Sequence, residues 1–300
     1  MSGDGRRTEF GLHYKDFAET RLRLPEIGLG TWEYQGGAEP LRRGIDLGAC
    51  LIDTAEAYGT EEIVGEAVRD LRDRVFIATK ALPRHFRHTD LLMAADRSLK
   101  RLRTDHIDLY QLHWPNYAVP IEETMAAMEE LVDRGKVRFI GVSNFSVIDL
   151  KKAQAALSKY KIVSNQVRYS LVDRTIEGGL LRYCQKYGIA VIAHSPLARG
   201  LHHIKRRDPD RVLQKVSAIT GKSEAQVALN WCLSKDGVIA IPKASSIDHV
   251  EEDCGASGWR LSPEQIGLLG RRIGFRRRGY TETALRRVAR HSLQRLGYNQ

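Results

Sequence analysis

No run of about 18 apolar residues occurs in the 300-residue chain, so a membrane-spanning helix is not expected. The first 17 residues, MSGDGRRTEFGLHYKDF, carry charge but no apolar run and no small-residue cleavage motif, so no secretory leader is expected either. Four cysteines are present, Cys50, Cys184, Cys232 and Cys254, and no two form a C-x-x-C pair. That spacing speaks against a zinc site or a disulfide frame and for reduced thiols in a cytoplasmic protein. A dinucleotide fingerprint is missing too. Gly28-x-Gly30 is followed by Glu33 where the third glycine would stand, which argues against a Rossmann half. Repeats, low-complexity tracts and an interdomain linker are lacking, so one domain is expected over 1–300.

The net charge of +10 invites a nucleic-acid reading, but the charge is unevenly placed. Residues 271–300 hold nine arginines against Glu282 alone, which leaves the rest of the chain close to neutral. From Thr281 to Leu296 the apolar residues Leu285, Val288, Ala289, Leu293 and Leu296 share one helical face, so a docked C-terminal helix is expected. No aromatic-studded basic groove accompanies it, so neither nucleic acid nor membrane is the expected partner. A monomer is the default, with a homo-oligomer as the alternative.

What the chain does have is an alternation of element types. Hydrophobic residues make up 42%, enough for a real core. Short apolar, β-branched runs predict strands at Ile27–Thr31, Cys50–Thr54, Val75–Lys80, Ile107–Leu112, Val137–Val142, Val163–Val167, Ala190–His194 and Val238–Ile241. Helix-period stretches lie between them, such as 121–134 and 223–235, the latter opened by Ser223 as an N-cap. The strands read as continuous apolar runs, as parallel strands buried on both faces do. Eight βα units close naturally into a (β/α)8 TIM barrel, placed at about 24–255 with a basic extension at about 256–300. The long stretch Pro196–Arg211 has room for a lid or an extra helix.

The polar residues sit at equivalent places. Strand ends carry Gly30-Thr31-Trp32, Asp53, Lys80, His113-Trp114, Ser143-Asn144, Gln166, His194-Ser195 and Lys243. In a parallel barrel these termini meet at one face, where the active site lies. Asp53 beside Lys80 would keep the lysine charged, and that cation would lower the pKa of Tyr58, five residues past Asp53. His113 would donate a hydrogen bond to a carbonyl oxygen. This set contains a tunable acid but no evident nucleophile and no metal cage, so the hydride for a carbonyl reduction must come from a cofactor. His85 and His88 lack an accompanying carboxylate or cysteine cluster and read as a solvated loop, not a metal site. Lys205, Arg206 and Arg207 fit either a clamp on cofactor phosphates or a solvated charge run.

The ordered set Gly28-Leu-Gly-Thr-Trp32, Asp53-Thr-Ala-Glu-Ala-Tyr58-Gly, Ala78-Thr-Lys80 and Leu112-His-Trp-Pro115 resembles the aldo-keto reductases. Gly141-Val-Ser-Asn-Phe145, Gln166, His194-Ser-Pro-Leu197 and Ile241-Pro-Lys243 extend the likeness over roughly residues 24 to 255. The resemblance implies a carbonyl (aldehyde or ketone) reductase using NADPH, with NADH as the alternative cofactor. It implies Tyr58 as general acid, Asp53 and Lys80 as its tuning pair and His113 as the group that orients the carbonyl. Trp32 and Trp114 would wall the substrate pocket with Tyr58 and His113. Ser143, Asn144 and Gln166 would hold the nicotinamide carboxamide, and His194 would stack under the ring where many members have a tyrosine. Gly30, Thr31, Trp32 and Asp53 would also line the cofactor cleft. Ser195 and Leu197 would meet the pyrophosphate, Lys243 the 2′-phosphate, and Glu252 and Asp253 the adenine.

Three departures bear on specificity. Ala244 stands where a phosphate-contacting serine is common, His249 where an arginine grips the 2′-phosphate, and Asp253 where an asparagine meets adenine. A neutral histidine cannot form arginine's bidentate fork, so weaker discrimination against NADH is expected. A rival from another class is a cofactor-sensing binding or regulatory subunit with slow or vestigial reductase activity, docked through the basic tail.

Overall fold

The computed structural model describes residues 11–276. The predicted helix Thr281–Leu296 lies outside the described residues. Eight parallel strands form the central sheet in sequence order: β3 (Leu29–Gly30), β4 (Leu51–Asp53), β5 (Phe76–Ala81), β6 (Ile107–Leu112), β7 (Val137–Ser143), β8 (Ile162–Arg168), β9 (Ala190–His194) and β10 (Val238–Ile241). Ile27 bridges Ala240 in parallel, and the Gly30 amide donates to the Pro242 carbonyl at 2.8 Å, so the first strand meets the last and the sheet closes. A Cβ at Gly30 would stand 2.8 Å from the Ile241 carbonyl oxygen, so this seam requires glycine. The result is a single-domain (β/α)8 barrel.

All eight predicted strands are present. The first is much shorter than expected, because Ile27 makes only an isolated bridge and the chain turns inward at Gly30-Thr31. An antiparallel hairpin, β1 (Tyr14–Asp16) with β2 (Arg23–Pro25), was not anticipated. Its three-residue strands are too short for a periodic signal. Its Phe17 and Leu24 join the barrel-interior residues Leu51, Phe76, Leu109, Ile192 and Ile239 in one apolar cluster and plug the N-terminal end. The predicted helices appear as Ile121–Asp133 and Glu224–Leu233, the second opened by a Ser223–Gln226 capping box. A short helix, Leu201–Lys205, does occupy the long stretch after β9.

Strand periodicity carries the fold into the site. On β4, Leu51 faces the interior cluster, Ile52 faces the helices, and Asp53 faces inward again. On β5 the inward series is Phe76, Ala78, Lys80, and along β6 it is Leu109 and Gln111, continued by His113 just past its end. Each series is apolar at the plugged end and polar at the open end.

Candidate active site

Lys80 is fully buried, and its Nζ donates to Asp53 Oδ2 at 2.7 Å and to the Thr54 carbonyl at 2.8 Å. Burial alone would lower its pKa, but Asp53 and then Tyr58 outweigh that and hold it above the ordinary lysine value. The other Asp53 oxygen accepts from the Gln166 amide at 2.6 Å and from Gln111 at 3.4 Å. Asp53 is therefore held on both oxygens, which fixes the orientation of a buried carboxylate.

Tyr58 sits on a single helical turn, Glu56–Tyr58, that ends at Gly59 with φ 68°. This turn brings the Tyr58 hydroxyl to 3.5 Å from His113 Nε2 and the Tyr58 ring centre to 4.8 Å from Lys80 Nζ. The expected lowering of the Tyr58 pKa is not what results. Burial raises it above the ordinary tyrosine value, and the opposing pull of Lys80 only reduces the rise. The phenol is thus held protonated.

Burial, with Lys80 and then His194 adding repulsion, pushes the His113 pKa down to about 2. Its Nδ1 is buried without a partner. A proton there would be an orphaned donor, so the neutral ring belongs in the Nε2–H tautomer, aimed at Tyr58 and the mouth. Trp114 lies half-buried beside it, ring centres 4.0 Å apart. Trp32 is half-buried as well, and the Arg199 guanidinium from the loop after β9 sits 4.4 Å over its ring.

The expected cofactor contacts fall along a path across the mouth. Asn144 adopts a left-handed backbone with φ 62°, and its amide donates to the His113 carbonyl at 3.1 Å and to Ser143 Oγ at 3.0 Å. Ser143 Oγ in turn donates to the Gln166 carbonyl at 2.9 Å. The half-buried His194 ring lies 3.2 Å from Ser195 Oγ and 3.5 Å from Asn144 Oδ1. Its pKa falls to about 3, from burial first and then Arg168, Lys80 and Arg199. Thr31 is buried, donating to the Asp53 carbonyl at 3.0 Å, so it steadies the β3–β4 junction. Leu197 is half-buried against the core.

Beyond β10, Lys243 and His249 are exposed, and His249 Nδ1 leans 3.6 Å from Glu252. Asp253 is buried, and desolvation first, with Glu252 second, raises its pKa well above the ordinary aspartate value. Lys205 is paired with Glu224 at 2.5 Å, which favours the solvated charge run over the phosphate clamp for this residue. His85 pairs with Glu56 at 3.0 Å and His88 with Glu130 at 2.9 Å. Among the described residues, no group of three or more His, Cys, Asp or Glu is placed to hold a metal.

Three participants escaped the sequence reading. Gln111, the second donor to Asp53, was detectable as an amide two residues before His113, on the same strand face. The Thr54 carbonyl has no sequence signal, because every residue carries one. Arg199 over Trp32 joins two loops far apart in the chain.

The model of the Aldo/keto reductase family matches residues 26–273. The chain belongs to this family. A methylglyoxal reductase of Escherichia coli is 39% identical over 259 residues, covering 83% of this chain and 90% of that protein. A glyoxal reductase of Bacillus subtilis is 33% identical over 254 residues, covering 83% and 88% respectively. Among solved structures, a thermostable aldo-keto reductase in complex with the inhibitor epalrestat superposes with a TM-score of 0.82 at 40% identity, covering 86% of this chain and 99% of that one. An aldo/keto reductase from Klebsiella pneumoniae in complex with NADP and acetate gives 0.80 at 38%, covering 88% and 96%. Family membership makes the protein an NAD(P)H-dependent oxidoreductase of carbonyl groups.

Proposed function

We propose that the protein reduces aldehydes and ketones with NADPH, and that Tyr58 is the proton donor. The observation that carries this reading is the fully buried Lys80, fixed on Asp53 at 2.7 Å and facing the ring of a tyrosine held in its protonated form. When bound, the nicotinamide would supply the hydride that reduces the carbonyl carbon. His113 Nε2–H orients the carbonyl oxygen and takes up part of its developing charge. Tyr58 gives its proton to that oxygen, and the ammonium of Lys80 stabilises the phenolate left behind. Asp53, clamped by Gln166 and Gln111, keeps Lys80 charged and in place. Trp32 and Trp114 flank the opening where the substrate enters.

The residues present suit the cofactor. Ser143 and Asn144 bring a hydroxyl and an amide together beside the His194 ring, the composition a carboxamide-bearing aromatic ring needs. Asp253 stands where the family's asparagine meets adenine, and burial raises its pKa, which favours the neutral carboxyl that suits that position. Lys243 is the cation for a 2′-phosphate, while His249 is a weak substitute for an arginine there. NADPH is therefore preferred by a modest margin. The relatives that reduce methylglyoxal and glyoxal make small oxoaldehydes the first substrates to test.

The test is NADPH oxidation with methylglyoxal by the parent and by Tyr58→Phe, repeated with NADH. Turnover should fall by about a hundredfold or more in the variant, with cofactor affinity unchanged. Retention of more than about a tenth of the rate would remove Tyr58 as the acid, and equal or better efficiency with NADH would remove the NADPH preference. No turnover of any carbonyl despite tight NADPH binding would favour the cofactor-sensing reading.

A further inference from the structure

Beside the mouth, between the loops that follow β8 and β9, lies a cavity of about 600 Å³. Five arginines line it, Arg168, Arg199, Arg206, Arg207 and Arg276, against one carboxylate, Asp173. That carboxylate is already engaged, accepting from Thr175 Oγ1 at 2.8 Å. So dense a positive wall creates a potential that attracts anions.

The cavity stands on a pinned frame. The Gly274 amide donates to the Arg207 carbonyl at 2.8 Å, the Arg276 amide to the Val172 carbonyl at 2.8 Å, and the Arg174 amide to the Arg276 carbonyl at 3.0 Å. The Arg174 guanidinium donates to the Leu171 and Gly270 carbonyls and lies 4.5 Å from the Trp231 ring and 4.3 Å from the Phe275 ring. Three chain segments that are distant in sequence are thereby tied together. Asp208, buried, accepts from the Val212 and Leu213 amides and anchors the loop that carries Arg206 and Arg207.

Its position sets it apart from the contacts expected for the adenosine half of the cofactor. Lys243, His249 and Glu252 follow β10, whereas this cavity opens between β8 and β9, on the other side of β9. It also borders the reaction centre. Arg168 pairs with His194 in the sheet, Ser195 lines the cavity, and both Arg168 and Arg199 press on the His194 imidazole. We propose that this cavity receives the anionic end of the carbonyl substrate, so that the enzyme favours aldehydes and ketones bearing a phosphate or carboxylate. The inference rests on the reductase reading above.

The test compares glyceraldehyde with glyceraldehyde 3-phosphate on the NADPH-loaded enzyme, in the parent, in Arg206→Ala/Arg207→Ala and in Arg206→Lys/Arg207→Lys. Both side chains are exposed, so folding is spared. In the alanine variant, KM for the phosphorylated aldehyde should rise about tenfold, KM for glyceraldehyde should not move, and the lysine variant should restore most of the loss. Calorimetric titration of NADP-saturated protein with 3-phosphoglycerate reads the same site without turnover and should lose its signal in the alanine variant. Equal KM changes for both aldehydes would overturn the proposal, as would parent and variant binding 3-phosphoglycerate alike or not at all. A matched weakening of NADPH and NADH affinity in the alanine variant would overturn it too, assigning these arginines to the cofactor diphosphate. Failure of the parent to turn over any carbonyl, with 3-phosphoglycerate still bound, would strike the reductase reading and leave the anion site standing.

Discussion

Single residues here are set by their surroundings more than by their type. Lys80 lies fully buried and charged because Asp53 meets it at 2.7 Å, and Tyr58 keeps its proton because burial outweighs that same cation. His113 illustrates the consequence for stability. Its folded pKa, about 2, lies below the ordinary histidine value near 6.5. Below about pH 6.5 the unfolded chain therefore binds a proton that the folded chain refuses, so stability falls as pH falls through that window. Replacing it by asparagine removes this contribution. His113→Asn should shrink the loss of unfolding free energy between about pH 7 and about pH 5 by roughly 1–2 kcal/mol. Urea unfolding at both pH values measures it, and an unchanged difference would mean that His113 already takes a proton in the folded protein.

At the scale of elements, the strand alternation delivers the chemistry. Because inward positions recur every second residue, Leu51 and Asp53 share a face, as do Phe76 and Lys80. A register slip of one residue would send Lys80 into the helix layer and leave Asp53 alone. Helix ends matter more quietly. The capping box of Ser223 and Gln226 satisfies two amides at the start of Glu224–Leu233, a helix whose Trp231 stacks on the Arg174 guanidinium. Ser223→Ala should cost about 1 kcal/mol of stability and leave the kinetics unchanged. A thermal melt beside a standard assay is the check, and loss of kcat without loss of Tm would reveal an unexpected link to the site.

The whole molecule divides its work between its two ends. At the open end lie the buried charges of the proposed catalytic site. At the plugged end, Glu26 is buried and accepts from Arg260 at 2.7 and 2.8 Å and from Ser257 at 2.7 Å, with Lys15 at 3.9 Å. Lys15 also donates to the Leu233 and Val238 carbonyls, so this network ties the hairpin to β10. The role of this cluster is structural, because it lies at the N-terminal end of the strands, away from the mouth. Glu26→Ala should therefore lower stability by roughly 2–3 kcal/mol, allowing for the partial exposure of Arg260. Activity per folded molecule should stay unchanged. Denaturant unfolding together with active-site titration separates the two, and a fall in specific activity would show that the ends are coupled.

By itself the sequence determined the order of strands and helices, and with them which residues crown the strands, because apolar periodicity and strand termini are local properties. Asp53, Lys80, His113, Ser143 and Gln166 were legible for that reason. The family motifs added Tyr58 as the proposed acid and the residues of the proposed cofactor path. Tertiary structure alone decided how the barrel closes at Gly30 against Ile241, and that a hairpin from before residue 24 plugs it. It also decided the direction of the Tyr58 pKa, since burial and the Lys80 charge act oppositely and only their positions settle the balance. The arginine cavity belongs to the same class. Its walls come from residues 168, 199, 207 and 276, which no local pattern joins, and it exists only because three loops fold onto one another.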